Sequence, residues 1–184
     1  MIQRMSHSAI FVLDQDVARD FYVNKLGFEV SMDESMPNGF RWLTVNPKAQ
    51  PDLQIILMKV APSPFDGNGI QKIQPQDVET IRTLMSKGAF GAGVFQTADC
   101  RKTYEEMKAK GVEFLSPPKE QFYGVEAVFR DPFGNWFSMT QPRTCNDNLR
   151  QAPMPYLAAC GLTLPLLTCW SGSGRGGRQK NVGS

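Results

Sequence analysis

Histidine is nearly absent: His7 is the only one in 184 residues. One imidazole cannot build a two-histidine metal site, and with no nucleophile-elbow pattern around any serine it gives a Ser-His-Asp triad no support. Cysteine is scarce as well. Cys100, Cys145, Cys160 and Cys169 form no CxxC pair, which argues against a zinc knuckle or a disulfide framework and leaves free thiols suited to a reducing compartment. Neither sign of charge is in excess, because 20 Lys and Arg oppose 18 Asp and Glu for a net +2. That balance excludes binding driven by an anionic nucleic acid or membrane. Long apolar runs are missing too. Residues 9–13 are too short for a secretory h-region and run into Asp14, while residues 156–170 are broken by Gly161 and Pro165 and fall short of a bilayer span. The expectation is a soluble, cytoplasmic protein. No Gly-rich phosphate cradle occurs, since the glycines at Gly39 and from Gly88 to Gly93 lack the Lys-Ser/Thr or strand-turn-helix context.

What the chain does have is a 41% hydrophobic content, enough for one core, and an internal repeat. The stretch His7-Ser-Ala-Ile-Phe-Val-Leu-Asp14 is an apolar strand ending on an acid, and Ala92-Gly-Val-Phe-Gln-Thr-Ala-Asp99 repeats it 85 residues later. Each acid precedes a helix. Asp14 or Asp16 in the first copy and Asp99 in the second can accept from the free amides of an opening turn. Val17, Phe21 and residues 23–26 supply one apolar face, and Cys100, Tyr104 and Met107 the other. Gly27 and Gly111 stop the helices and open into Phe28-Glu-Val30 and Val112-Glu-Phe114. The offset has now dropped to 84, so the two helices differ by one residue. Residues 39–45 then match 124–130, and residues 53–58 match 137–141. Asn46-Pro47 and Asp131-Pro-Phe-Gly134 provide turns before the last strand of each copy. The reading is α+β: two βαβββ modules, residues 1–60 and 89–142.

Between the modules, residues 61–88 read as a loop and a connecting helix with Val78, Ile81, Leu84 and Met85 on one face. From residue 143 the composition turns to Pro, Gly, Ser and Cys with a basic end, so residues 143–184 are expected to form a flexible basic tail.

The pattern His7-x4-Val12-x-Asp14, then Phe21-Tyr22 and Lys25-Leu26-Gly27-Phe28, resembles the opening module of the vicinal oxygen chelate superfamily of glyoxalases, bleomycin-resistance proteins and extradiol dioxygenases. Asp131-Pro132-x-Gly134-Asn135 ahead of the final strand resembles its closing module, and the likeness covers residues 1–142. The resemblance implies a curled mixed sheet around a U-shaped cleft, and a homodimer. It also implies that metal-dependent relatives take ligands from the first and last strand of each module. The matching positions here are His7, Gln54, Ala92 and Ser138. One imidazole, one amide, one methyl and one hydroxyl are a poor set for a divalent ion, which wants three strong ligands. The expectation is therefore no cofactor and no divalent metal.

Small-molecule clefts are mostly apolar with a few directed polar groups. Strand parity nominates Phe11, Ile56, Met58, Val94, Gln96, Trp136 and Thr140 for such a cleft, and His7, Gln54 and Ser138 join them from the positions that the resemblance implies. For each alone, an ordinary core role is the simpler explanation; the set on one surface is what favours binding. Phe122 and Tyr123, next to Gly124, stand where a loop over the cleft is implied and could stack on a planar ligand or plug the turn after Pro117-Pro118. Arg41 and Trp42 are open to either role. The leading functional reading is a metal-independent binder that sequesters or carries a planar or aromatic compound. The competing one is a glyoxalase-like lyase or isomerase in which His7, as the catalytic residue, moves a proton with help from Gln54 and an acid such as Glu126.

Overall fold

The computed structural model describes residues 1–62 and 73–143, all within the unit Met1–Thr144. The expected tail beyond Arg143 and most of the connecting loop lie outside the described residues.

The first module runs β1 (His7–Val12), α1 (Gln15–Asp20), β2 (Glu29–Ser35), β3 (Arg41–Asn46) and β4 (Gln54–Lys59). After α2 (Asp77–Ser86), the second runs β5 (Gly91–Gln96), α3 (Cys100–Ala109), β6 (Glu113–Gln121), β7 (Gly124–Arg130) and β8 (Trp136–Pro142). Each module makes its own four-stranded mixed sheet, ordered β1-β4-β3-β2 and β5-β8-β7-β6, with one parallel pair apiece. The duplicated order is the α+β architecture read from the repeat.

The helix caps form as the sequence requires. Asp14 accepts from the amides of Asp16 and Val17, and Asp99 from that of Lys102. Gly27 and Gly111 end the two helices at φ 77° and 74°, a left-handed conformation cheap only for glycine. The extra residue of the first helix is absorbed by a π-helical turn at Phe21–Lys25, in which the Leu26 amide reaches back five residues to the Phe21 carbonyl. That turn brings the adjacent residues Phe21 and Tyr22 both into the core.

Two expectations about faces need correction. Val17 and Leu84 are exposed, because Ala18, Phe21 and Tyr22 on the first helix and Met85 on α2 take the inward positions. The turn expected after Pro117-Pro118 comes at Phe122-Tyr123, and the pair itself lies inside β6, a position open to proline because β6 is the sheet's outer strand and its pairing is irregular there.

The core joins the two modules. Ile10, Val12, Leu43, Val45, Ile55 and Leu57 from the first sheet belong to one cluster with Ala127, Phe129, Phe137 and Met139 from the second. Phe95, Phe129 and Phe137 stack at 5.1 to 6.3 Å between ring centroids, and Phe28 of the first module meets Phe95 edge-on at 5.4 Å. With these residues inward, the alternate residues of every strand face the opposite side of each sheet.

Candidate functional site

On the first sheet that opposite side is built by registered pairs. His7 lies beside Gln54, Ala9 beside Ile56 and Phe11 beside Met58 across the parallel β1/β4 ladder, and Thr44 of β3 lies beside Ile56. All five residues nominated from the first module therefore share one face, rising from exposed His7 to buried Ile56. The His7 ring stands edge-on to Trp42 at 6.1 Å, and its Nδ1 is 3.0 Å from the Ser6 hydroxyl. Gln54 is already engaged, since its Oε1 accepts from the buried Thr44 hydroxyl at 2.9 Å. Arg41 is structural: it clamps Asp33 with two hydrogen bonds of 2.6 and 2.8 Å and reaches Asp16 at 2.7 Å.

On the second sheet, Val94 lies beside Ser138 and Gln96 beside Thr140, with Glu126 and Val128 of β7 completing the face. Val94 is 69% exposed and Trp136 38%. Ser138 is buried and donates a hydrogen bond to Glu126 Oε1, whose other oxygen accepts from the Tyr123 hydroxyl at 2.8 Å. The bond to Glu126 raises the Tyr123 hydroxyl above its ordinary pKa, so the phenol stays a donor. Phe122 is 85% exposed and meets Tyr123 edge-on at 4.9 Å, which rules out the plug.

Sequence reasoning named Glu126 only as an accessory acid; the parity of β7, which places it with Val128 on the Ser138 side, was available to reveal it.

Two placements differ from the sequence reading. Ala92 does not line this face. It is the extra residue in a register shift between Gly91 and Gly93, and it packs against the core. The shift accommodates Trp136, whose indole lies so close over Gly91 that a β-carbon there would be 2.5 Å from Cζ2. Nor is Ser138 the counterpart of Gln54. Seven residues separate β3 from β4 but five separate β7 from β8, so β8 starts two residues early. Ala9 and Val94 hold equivalent places before the capping acids Asp14 and Asp99 and pair with Ile56 and Ser138, so Ser138 corresponds to Ile56, and Trp136, two residues earlier, to Gln54. A slip of two keeps the side chain on the same face, so the nominated set survives.

A cavity of about 960 Å³ lies elsewhere, between Leu26 and Phe28 of the first module and Phe129 and Met139 of the second. Of the nominated residues only Val94 and Gln96 touch it.

Comparison with known proteins fixes the family. The model of the Glyoxalase/Bleomycin resistance protein/Dioxygenase superfamily matches residues 4–139. The chain belongs to this superfamily. Among superfamily relatives, YurT of Bacillus subtilis (strain 168) is 35% identical over 136 residues, covering 73% of this chain and 95% of that protein. The crystal structure of UcmS2 is 43% identical, with a TM-score of 0.68 and coverage of 76% of this chain and 98% of that one. The structure of TnmS3, an antibiotic binding protein from Streptomyces sp. CB03234, is 27% identical with a TM-score of 0.57, covering 77% and 98%.

The superfamily's metal does not fit the residues present. His7 offers an imidazole, Ala92 offers nothing and is turned into the core, Gln54 is bonded to Thr44, and Ser138 donates its proton to Glu126. Among the described residues no three His, Cys, Asp or Glu side chains converge as a metal site would require. Among the described residues, too, no helix is long and apolar enough to cross a membrane.

Proposed function

We propose that this superfamily member binds a planar or aromatic small molecule against the open faces of its two sheets and does so without a metal. The observation that carries the reading is the second sheet's face. Trp136, Val94 and Tyr123 stay exposed there around an ordered polar centre of Ser138 and Glu126, the composition of a binding surface rather than of a core. The first face adds Phe11, Ile56 and Met58 beside His7 and Gln54. The likeness to an antibiotic binding protein supports the same class of ligand. Sequestration or carriage asks of the site only complementarity, and these side chains supply aromatic surface and directed hydrogen bonds.

Both faces are open in the single chain, and a second copy would enclose them, so the binding form is a homodimer. Exposed apolar side chains at Val94, Trp136 and Phe122 are the surface such a pairing would bury. Sedimentation of the full chain should give twice the 20.6 kDa monomer mass. Thermal-shift screening of aromatic antibiotics tests ligand binding directly. A concentration-dependent rise in melting temperature for planar members supports the reading, and no shift across the set opposes it.

A further inference from the structure

Glu126 stands on the second sheet's open face and makes no ion pair among the described residues. It sits opposite Thr140 on β8, one diagonal step from Ser138, so it shares a side with Val94, Gln96 and Trp136. Two hydroxyls hold it, Ser138 on Oε1 and Tyr123 on Oε2. Hydroxyl donors orient a carboxylate without cancelling its charge. Of the cations on this face, Arg130, four residues along β7, is tied to Glu113 at 2.6 Å, and Lys119, the cross-strand neighbour on β6, is exposed and makes no ion pair among the described residues.

An ionised carboxylate oxygen has room for two donors, and each oxygen of Glu126 has one. An acceptor position is therefore left on each. A charged donor filling one of these positions would make a stronger hydrogen bond than a neutral one. Around Ser138, the Trp136 indole two residues along β8 and the Val94 side chain paired with it on β5 offer apolar surface, and an indole face itself attracts cations.

We propose that Glu126 selects the charge of the ligand, so that the site takes planar compounds carrying a positively charged N–H group in preference to neutral or anionic ones. This rests on the small-molecule reading above and adds the chemistry that the ligand must bring. The N–H donates to Glu126 while the ring lies against Trp136. Ser138 and Tyr123 act as positioning residues that keep the carboxylate aimed.

The test compares two three-ring fluorescent probes of like outline, 9-aminoacridine as a cation at neutral pH and anthracene-9-carboxylate as an anion. Each is titrated into the full-length protein and into Glu126→Gln. The unmodified protein should bind the cation at least about tenfold more tightly, the low end of what a hydrogen bond to a charged group contributes. In Glu126→Gln the two affinities should come within about threefold, through loss on the cation alone. Equal binding of both probes by the unmodified protein, a comparison that needs no variant, would overturn the charge selection and leave the small-molecule reading standing. So would a preference that persists in Glu126→Gln. Binding of neither probe would take both readings down together.

Discussion

The Tyr22 hydroxyl donates to Asp131 Oδ2 at 3.1 Å, joining two residues 109 positions apart and in different modules. Asp131 also accepts from the amides of Phe133 and Asn135 and from Asn135 Nδ2, while Asn135 Nδ2 donates in addition to the Phe11 carbonyl on β1. Burial, then the Asp131 carboxylate, pushes the Tyr22 hydroxyl far above its ordinary pKa, so it donates at any usable pH. Removing this donor by Tyr22→Phe leaves the packing and takes one bond from a buried acid. Urea unfolding should show a loss of about 1.5–3 kcal/mol. No measurable loss would mean that the contact does not hold the modules together.

Asp131 carries a pH signature. Burial raises its carboxyl pKa, against the lowering effect of its donors, so the folded protein holds that proton more tightly than the unfolded chain. Its contribution to stability is therefore fully present below the unfolded pKa and lost as pH rises through the folded one. Asp131→Asn removes the titration. The stability gap between the two proteins, measured by urea unfolding, should be wider near pH 4 than at pH 7. A gap that widens toward pH 7 would mean that the four donors hold the carboxyl below its usual value instead.

Much of the fold is legible because its signals are local. The caps at Asp14 and Asp99 and the stops at Gly27 and Gly111 are set by backbone chemistry within a few residues, and the repeat doubles each signal. Even the π-helical turn at Phe21–Lys25 leaves a trace, the one-residue change of offset between the modules. Register is harder. Matching residues 53–58 to 137–141 by similarity overlooked the shorter connection before β8, and the displacement of Ala92 depends on Trp136, 44 positions away. The Tyr22–Asp131 and Ser138–Glu126 bonds are tertiary and leave no periodic mark.

Gly91 exists for Trp136. A β-carbon there meets the indole at 2.5 to 3.0 Å, and since Trp136 is partly exposed the ring can swing outward. Gly91→Ala should thus cost about 1 kcal/mol of stability, the low end for overpacking, yet weaken binding of 9-aminoacridine about tenfold. Isothermal titration beside thermal melting separates the two effects. A large loss of stability with unchanged affinity would remove Trp136 from the site.

His7 separates binder from enzyme. It is exposed, touches Ser6 and Trp42, and has no acid among its described hydrogen-bond partners. His7→Ala should change the affinity for a planar ligand by no more than about threefold. With the hemithioacetal of methylglyoxal and glutathione as substrate, neither form should turn over. Turnover that vanishes in the variant would favour the lyase reading.

Binding without a metal is most directly tested by titrating 9-aminoacridine into the protein before and after exhaustive dialysis against EDTA. The affinities should be equal, and adding back nickel or zinc should change neither. Affinity that is lost on chelation and restored by either ion would contradict the account.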